Sequence, residues 1–373
     1  MKELRDIVSA FNSVIARGDQ AVLASVVQTS GSTYRHAGAR ALIVSDELIV
    51  GVVSGGCLES DLTQQAKGVR ASGQSMIIRY DHRENDDIVW GLGLGCAGVV
   101  DVLLERVDKD NPGPLNLIAQ VIETRMPALM ATVIAANEST AGVGARWMQQ
   151  SNGQVSTSRD WPFSSLQSHY FAEKIKGKTG AVVTNEGAEI MIERVNPLTR
   201  LLIFGAGADA VPLVAIGAEI GWTMEVFDKR SVFASPERFP RADRIVHCPP
   251  SQLVDKVALD PQTVAIVMTH NYLQDLDILK FLLPLSEHYI GVLGPKRRLK
   301  LLLSDLQEDG IQISAHQQKR LYGPAGLDIG ADSAEEIALS IISEVQAVLH
   351  QRSGGLLRDR VDPIHCATRD NAA

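Results

Sequence analysis

Two cysteines in the N-terminal half follow glycine-rich stretches, one in Ser54-Gly-Gly-Cys57-Leu-Glu59 and one in Trp90-Gly-Leu-Gly-Leu-Gly-Cys96. Cys57 comes where two glycines enter a predicted helix, and the N–H groups at a helix start favour a thiolate and can hold an anion. The glycines before Cys96 expose bare backbone against which a flat polar ligand can lie. Two soft thiolates on such loops suit a soft metal centre or a sulfur carrier. The alternative is a pair of inert buried cysteines.

A second kind of chemistry is indicated by Gly205-Ala-Gly207-Ala-Asp209-Ala210, which directly follows the apolar stretch Leu201–Phe204 and opens an apolar helix. In this setting Gly205 permits a tight turn, Gly207 lets a pyrophosphate approach the backbone, and Ala210 allows the helix to pack closely on the strand. The pattern predicts the phosphate turn of a Rossmann-type domain. The alternative is a strand, turn and helix that keep the fold without binding a nucleotide.

Asp228 ends the next predicted strand, where a carboxylate can accept hydrogen bonds from the ribose of adenosine. This position favours NAD, or another dinucleotide with a free 2′-hydroxyl, over NADP. Lys229 and Arg230 leave the choice open, because cations at this point can bind a 2′-phosphate. His270 follows a later predicted strand, at the edge of the sheet where such ligands bind.

Hydrophobic periodicity indicates the elements that carry these residues. In the N-terminal half it predicts a helix over 4–17, a helix that ends near residue 70, and strands over 21–27, 41–44, 48–53 and 99–106. In the C-terminal half it predicts strands over 201–204, 224–228, 244–247, 264–269 and 289–293. Helices alternate with most of these strands, and a capping box of Ser333 and Glu336 starts a final helix. The fold class is therefore α/β, with a Rossmann-type, doubly wound parallel sheet in the C-terminal half.

Three stretches within residues 128–195 resemble stretches within residues 21–107 in the same order. The pairs are Ala131–Ile134 with Ala24–Val27, Gly144–Arg146 with Gly38–Arg40, and Glu189–Val195 with Asp101–Val107. They indicate an internal duplication, with chance similarity of short β-rich stretches as the alternative. We therefore divide the chain into an N-terminal α/β domain (1–196), a Rossmann-type domain (197–350) and a polar tail (351–373).

The composition narrows the classes of partner. With 44 acidic and 36 basic residues, the chain of 373 residues has a net charge of −8, which disfavours nucleic acid as a partner. The N-terminus lacks the long apolar stretch of a signal peptide, and we expect no membrane span. The four cysteines are widely spaced, which indicates neither a disulfide scaffold nor a zinc knuckle. We expect a cytoplasmic protein.

Taken in order, the motifs resemble those of the XdhC/CoxI family. They are Gly38-Ala-Arg40, the Cys57 and Cys96 loops, and a Rossmann domain with Met268-Thr-His270 and Gly323–Gly330. The resemblance covers nearly the whole chain. It implies an accessory protein for a molybdenum hydroxylase of the xanthine dehydrogenase type. Such a protein binds molybdenum cofactor, supports its sulfuration by a cysteine desulfurase, and inserts it into the apo-enzyme.

The resemblance also implies which residues contact the cofactor. They are Arg40, Gly55, Gly56, Cys57, Glu59, Gly93, Gly95 and Cys96, with Cys57 and Cys96 as the candidate metal ligands. The candidate residues for NAD or a related dinucleotide are Gly205, Gly207, Asp209 and Asp228. Members of the family commonly have a histidine near this turn, where the present chain has Asp209.

Two further function classes stay open. An NAD(P)-dependent oxidoreductase would use the Rossmann domain for hydride transfer, with His270 or a cysteine as acid–base group, although no residue set completes a recognisable dehydrogenase site. A regulatory module would sense a dinucleotide and report through the N-terminal domain. For any of the three classes a homodimer is the expected assembly, because symmetric dimers are the commonest oligomers.

Overall fold

The chain folds into two compact units, one from Glu3 to Pro197 and one that begins at Leu198 and takes in Lys2. The computed structural model describes residues 2–81, 98–135, 142–158, 160, 161, 163, 180–185, 187–284 and 289–361. Among these residues, no helix is both long enough and apolar enough to cross a lipid bilayer.

The first half of the Glu3–Pro197 unit is a five-stranded antiparallel sheet with two helices. Its elements are α1 (Lys2–Ala16), β1 (Ala21–Gly31), β2 (Arg40–Ile43), β3 (Ile49–Gly51), α2 (Glu59–Ser72), β4 (Met76–Asp81) and β5 (Gly98–Val107). The strand order is β3-β2-β1-β5-β4. Helix α1 presents Ile7, Phe11 and Val14 to the core, the spacing of a single helical face, as the periodicity predicted.

The second half of this unit repeats the arrangement. Its elements are α3 (Leu115–Thr124), β6 (Ala128–Ala135), β7 (Arg146–Gln150), β8 (Val155–Thr157), β9 (Ala181–Asn185) and β10 (Ala188–Val195). The strand order is β8-β7-β6-β10-β9, again with every pair antiparallel. Strand β6 therefore has the central position that β1 has in the first sheet.

The two sheets also correspond residue by residue. Ser25 lies opposite Arg40 in the first sheet, and Thr132 lies opposite Arg146 in the second. Each central strand has one irregularity in its ladder, which leaves Val27 of β1 and Ile134 of β6 without a register partner. The three stretches matched in the sequence occupy equivalent positions in the two sheets. Their origin by duplication remains an interpretation.

The residues at the two irregularities pack in the same apolar cluster. A β-bulge re-aims a side chain, and both Val27 and Ile134 are buried together in a cluster drawn from both halves. The other buried members are Leu103 and Met191, which occupy matching positions on β5 and β10. The two halves thus share apolar clusters, which agrees with their assignment to one compact unit.

Two buried ion pairs also join the halves, each the reverse of the other. Arg40 of the first half donates to Glu193 of the second, and Arg146 of the second half donates to Glu105 of the first. Each arginine also donates to the carbonyl two residues before it, Arg40 to Gly38 and Arg146 to Gly144, at 2.9 Å in both cases. All four charged side chains are less than one-tenth exposed.

The unit from Leu198 onward is a six-stranded parallel sheet covered by helices. Its strands are β11 (Arg200–Phe204), β12 (Thr223–Asp228), β13 (Arg244–His247), β14 (Thr263–Val267), β15 (Ile290–Val292) and β16 (Leu321–Tyr322). Its helices are α4 (Ala210–Glu219), α5 (Leu253–Lys256), α6 (Tyr272–Leu282), α7 (Lys296–Glu308), α8 (Ala315–Gln318) and α9 (Ala334–Leu349). The order β13-β12-β11-β14-β15-β16, with all pairs parallel, confirms the Rossmann-type prediction.

Strand β11 shows why the sheet is doubly wound. Leu201 and Ile203 pack on one face with α4 and α9, whereas Leu202 and Phe204 pack on the other with α6 and α7. The capping box of Ser333 and Glu336 at the start of α9 is present as predicted. The sixth strand, β16, has two residues, which is too short for a hydrophobic pattern to indicate.

Candidate functional site

The loop before α2 is held together by the side chains of Ser54 and Glu59. The Glu59 carboxylate accepts hydrogen bonds from the backbone N–H of Ser54 (3.1 Å), the Ser54 hydroxyl (2.5 Å) and the backbone N–H of Leu58 (3.2 Å). The Ser54 hydroxyl oxygen also accepts from the N–H groups of Gly56 and Leu58. These bonds give the loop a defined shape, and Glu59 stabilises it from within.

Cys57 follows the two glycines of this loop. It is half-buried, and one side of it packs against the apolar cluster beneath α2 and the first sheet. Gly56 has φ = 106°, a left-handed conformation that favours glycine, and Gly55 and Gly56 are exposed. A side chain added at Gly55 would approach the ring of Tyr34 at 3.7 Å. The structure therefore brings Gly55, Gly56 and Cys57 together on one partly exposed surface.

Arg40 does not share that surface. Its side chain is 6% exposed and is paired with Glu193, so its guanidinium links the two halves of the unit. The resemblance implies that Arg40 contacts the cofactor; the structure places its guanidinium in this buried ion pair, and the cofactor contact stays a prediction. Burial of a guanidinium requires a paired carboxylate, which the chain supplies from the far side of the unit.

The second glycine-cysteine loop falls outside the described residues. Gly93, Gly95 and Cys96 belong to residues 82–97, so their role and the metal contact by Cys57 and Cys96 stay predictions. Within the described part of the chain, no three His, Cys, Asp or Glu side chains are arranged to hold a metal ion.

The phosphate turn of the second unit has the geometry that its glycines predicted. Gly205 has φ = 118°, and a Cβ there would lie 2.4 Å from the carbonyl oxygen of Met268, so no other residue fits. A Cβ at Gly207 would lie 3.5 Å from Nε2 of His270, and the same Nε2 is 3.5 Å from Oδ2 of Asp209. His270 thus lies over the turn, close to the start of α4.

The carboxylate of Asp228 is hydrogen-bonded to this turn and stabilises it. Its Oδ2 accepts from the backbone N–H of Ala206 (2.9 Å) and from Nη2 of Arg230 (2.7 Å). Its Oδ1 accepts from the backbone N–H of Arg230 (2.9 Å) and from Nε of Arg230 (3.0 Å). Burial raises the pKa of Asp228, but these hydrogen bonds outweigh it and leave the pKa below its ordinary value. The residue predicted to bind a ribose is thus engaged with the protein.

A network that the sequence did not indicate positions His270. The carboxylate of Asp275, 1% exposed, accepts from the Thr269 hydroxyl (2.5 Å) and from Nη2 of Arg298 (2.5 Å). The Asn271 side chain caps α6. His270, between two residues held in this way, takes φ = 58°, which is uncommon outside glycine. In the sequence, Asp275 is only an acidic residue in the first turn of a predicted helix. Such residues are usually solvated, so this position did not predict a buried network.

A small cleft of about 10 Å³, open to solvent, lies at the carboxyl ends of the central strands beside Asp228. This is the place where parallel sheets of this type bind ligands. Cys248 lines this cleft. Burial raises the pKa of its thiol, which disfavours the reactive thiolate. The lining residues are Phe204, Phe227, Asp228, Lys229, Cys248, Pro250, Leu253, Thr269, Gln274 and Ile278.

Two family models match the chain. One, described as the XdhC and CoxI family, matches residues 14–81, which include the Cys57 loop. The other, described as the XdhC Rossmann domain, matches residues 201–345, which include the phosphate turn and the cleft.

Two curated proteins resemble the chain over most of its length. A probable xanthine dehydrogenase subunit of Bacillus subtilis is 32% identical over 327 residues, which cover 88% of this chain and 92% of that protein. The molybdenum cofactor insertion chaperone PaoD of Escherichia coli is 24% identical over 359 residues, which cover 95% of this chain and 91% of that protein.

A solved structure has the same fold. It is a crystal structure described as a xanthine dehydrogenase of Bacillus halodurans, with a TM-score of 0.77 and 30% sequence identity. The similarity covers 94% of this chain and 97% of that one.

Proposed function

Because this chain belongs to the XdhC and CoxI family, we propose that it is an accessory protein of a molybdenum hydroxylase of the xanthine dehydrogenase type. It binds molybdenum cofactor as cargo, supports the sulfuration of that cargo by a cysteine desulfurase, and inserts it into the apo-enzyme. The similarity to a molybdenum cofactor insertion chaperone, which extends over 95% of this chain, is the observation that carries the proposal.

The geometry of the Cys57 loop supports this role. The polar side chains of the loop, Ser54 and Glu59, bind each other and the loop backbone, so they hold the loop in shape. Cys57 is half-buried in this loop, next to two exposed glycines. A thiolate is a soft ligand and a carrier of sulfur. We assign Cys57 to the contact with the cargo, with Gly55 and Gly56 as the surface against which it lies.

A loading experiment tests this assignment. The purified chain is incubated with molybdenum cofactor, and bound molybdenum and pterin are measured by mass spectrometry and by fluorescence after oxidation. We expect Cys57→Ser to fold like the parent and to lose most of its bound cofactor, since a hydroxyl is neither a soft ligand nor a sulfur carrier. Its ability to activate an apo molybdenum hydroxylase should fall in parallel.

Cys248→Ser is the matched control, because Cys248 is buried in the other unit. It should load cofactor like the parent. A Cys57→Ser protein that loads cofactor and activates the apo-enzyme normally would remove Cys57 from the cargo surface. Pull-down of a cysteine desulfurase and sedimentation of the chain alone test the two remaining partners, the desulfurase and a second copy in a homodimer.

We further infer that the Rossmann domain binds a dinucleotide such as NAD. The turn geometry at Gly205 and Gly207 and the adjacent cleft support this binding. Titration with NADH and NADPH, followed by the fluorescence of the nicotinamide, tests it. Lack of response to both would make the domain a scaffold, and turnover of either coenzyme with a substrate would favour an oxidoreductase.

A further inference from the structure

We propose that the cleft beside Asp228 selects an adenosine ribose that carries a phosphate group, as in NADP(H), over one with a free 2′-hydroxyl. This inference rests on the dinucleotide binding proposed above and names the ligand class of that cleft. It reverses the preference that Asp228 indicates when only the sequence is considered.

The hydrogen bonds of Asp228 leave a ribose hydroxyl without an acceptor. A carboxylate has about four acceptor positions, two on each oxygen. In Asp228, Oδ1 accepts two hydrogen bonds from Arg230, and Oδ2 accepts one each from Arg230 and the backbone of Ala206. The side chain of Asp228 is 4% exposed. A 2′-hydroxyl at this point would have to displace Arg230 or the phosphate turn itself.

Arg230 is paired with Asp228 and follows Lys229 in the chain, and both of these residues line the cleft. Its side chain is 44% exposed, and its guanidinium carbon lies 4.1 Å from the centroid of the Phe233 ring. Asp228 and the ring together fix the plane of the guanidinium. Nε and Nη2 donate to Asp228, and no further acceptor for this guanidinium occurs among the described residues, so N–H donors remain for a ligand. A planar guanidinium held in this way suits bidentate binding of a phosphate.

The charges around Arg230 favour an anion. Lys229 is exposed and lines the cleft. Arg238 packs against the same Phe233 ring, at 5.3 Å, and donates to the carbonyl oxygens of Ala206 and Phe233. Lys229, Arg230 and Arg238 thus lie near the Asp228 carboxylate. A phosphate group gains from these positive charges, whereas a neutral hydroxyl does not.

The rest of the cleft does not discriminate between the two coenzymes. Phe204 and Phe227 are stacked with their ring centroids 5.1 Å apart, and Leu253 and Ile278 complete an apolar wall. All four side chains are buried in the core of the second unit, so they carry no charge to the ligand and offer no basis for a choice between NAD and NADP. The choice between them therefore depends on Lys229 and Arg230.

Two matched nucleotides test the proposal on the full chain. Adenosine 2′,5′-bisphosphate and ADP carry the same base and two phosphoryl groups each, but only the first has one on the 2′-oxygen. In isothermal titrations at fixed ionic strength, we expect the bisphosphate to bind at least about tenfold more tightly, the effect of one charge-assisted hydrogen bond. NADPH should likewise bind more tightly than NADH.

Variants assign the effect to residues. Arg230→Ala should abolish the preference, and Lys229→Ala, a change at an exposed residue that should not disturb folding, should reduce it. Arg352→Ala, at an exposed arginine just after α9, should leave it unchanged. Equal or tighter binding of ADP by the parent overturns the proposal, and so does a preference that persists in both Arg230→Ala and Lys229→Ala.

The two levels of proposal fail in different ways. Binding of ADP and NADH without preference for the 2′-phosphate overturns only the selection. Lack of binding by every nucleotide overturns the dinucleotide site and the selection with it. Cofactor loading of the Cys57 loop is measured separately and does not depend on either result.

Discussion

Arg40 and Glu193, separated by 153 residues in the chain, form a buried ion pair that joins the two halves of the Glu3–Pro197 unit. Arg146 and Glu105 form the same pair in the reverse direction, with Nη1 to Oε2 at 2.7 Å and Nη2 to Oε1 at 2.5 Å. Each half therefore neutralises the buried arginine of the other.

Removal of one member of such a pair should be strongly destabilising. Arg40→Ala leaves Glu193 buried without its cation, and we expect the free energy of unfolding to fall by about 3–5 kcal/mol. The double variant Arg40→Met with Glu193→Leu should recover much of this loss, because neither charge remains. Urea denaturation followed by fluorescence measures both changes.

Arg17→Ala is the control for the ion-pair prediction. Arg17 pairs with Asp19 at the surface, with both side chains more than half exposed, so the loss should stay within about 1 kcal/mol. Similar losses for Arg17→Ala and Arg40→Ala would contradict the structural role of the buried pair.

Tyr289 stabilises the second unit through one hydrogen bond. Its hydroxyl donates to Glu344 of α9 at 2.5 Å, and the same carboxylate accepts from the backbone N–H of Gly326 at 3.0 Å. Burial raises the pKa of Tyr289, so the hydroxyl keeps its proton. Tyr289→Phe should therefore lower the free energy of unfolding by about 1.5–3 kcal/mol.

Tyr322→Phe serves as the comparison for Tyr289→Phe in the same denaturation assay. The two rings are stacked with centroids 4.5 Å apart, but no hydroxyl bond of Tyr322 occurs within the described ranges. We expect a change of at most about 0.5 kcal/mol. Equal effects of the two substitutions would show that ring packing, not the hydroxyl of Tyr289, accounts for the loss.

The loop that carries Cys57 should depend on the bond between Ser54 and Glu59. Ser54→Ala removes the hydroxyl that bonds Glu59, Gly56 and Leu58, and we expect a loss of about 1–2 kcal/mol in stability. Because Ser54 is 4% exposed, it cannot contact the cargo directly. A fall in cofactor loading in this variant would therefore show that loading depends on the conformation of the loop.

Ser60→Ala, a change at the exposed residue after Glu59, should alter neither stability nor loading. If Ser54→Ala is destabilised but loads cofactor like the parent, the loop geometry does not matter for the cargo. In that case the assignment of the Cys57 surface would have to rest on the thiol alone.

Asp228 should contribute stability only above acidic pH. Burial raises the pKa of Asp228. The hydrogen bonds from Arg230 and Ala206 lower this pKa by more than burial raises it, so it stays below the value in the unfolded chain. Its contribution is therefore fully present above the unfolded pKa of about 3.9 and is lost as the pH falls through the lower, folded value. The stability difference between the parent and Asp228→Asn should thus be large near pH 7 and shrink below about pH 4.

Denaturation midpoints of the two proteins over this pH range check the Asp228 prediction. Asp243→Asn offers no clean comparison, since Asp243 also bonds a backbone N–H, of Met224. Asp359→Asn, at an exposed residue near the end of the described chain, is the better control and should show no such change. A stability difference for Asp228→Asn that grows toward acid would reverse the assigned direction of the pKa.

Local features of this chain were decided by the sequence. The face of α1, the glycine at 205 and the capping box of Ser333 and Glu336 each depend on residues within a few positions of one another. Side-chain periodicity, the absence of a Cβ and a nearby hydrogen-bond acceptor act over that distance, so their effects can be predicted from spacing. The parallel direction of the strands in the C-terminal sheet follows from the alternation of such elements, whereas their order was given by the structure.

Only the tertiary structure decided what the charged side chains do. The family resemblance implied that Arg40 contacts the cofactor, and the position of Asp228 at the end of a Rossmann strand predicted contact with a ribose. Arg40 instead meets Glu193 from the other half of its unit, and Asp228 meets Ala206 of the phosphate turn. Asp275 is buried by Arg298 and Thr269, which its own helix does not supply. A buried charge is stable only beside its partner, and the long-range packing that brings the partner there is not encoded in any local spacing.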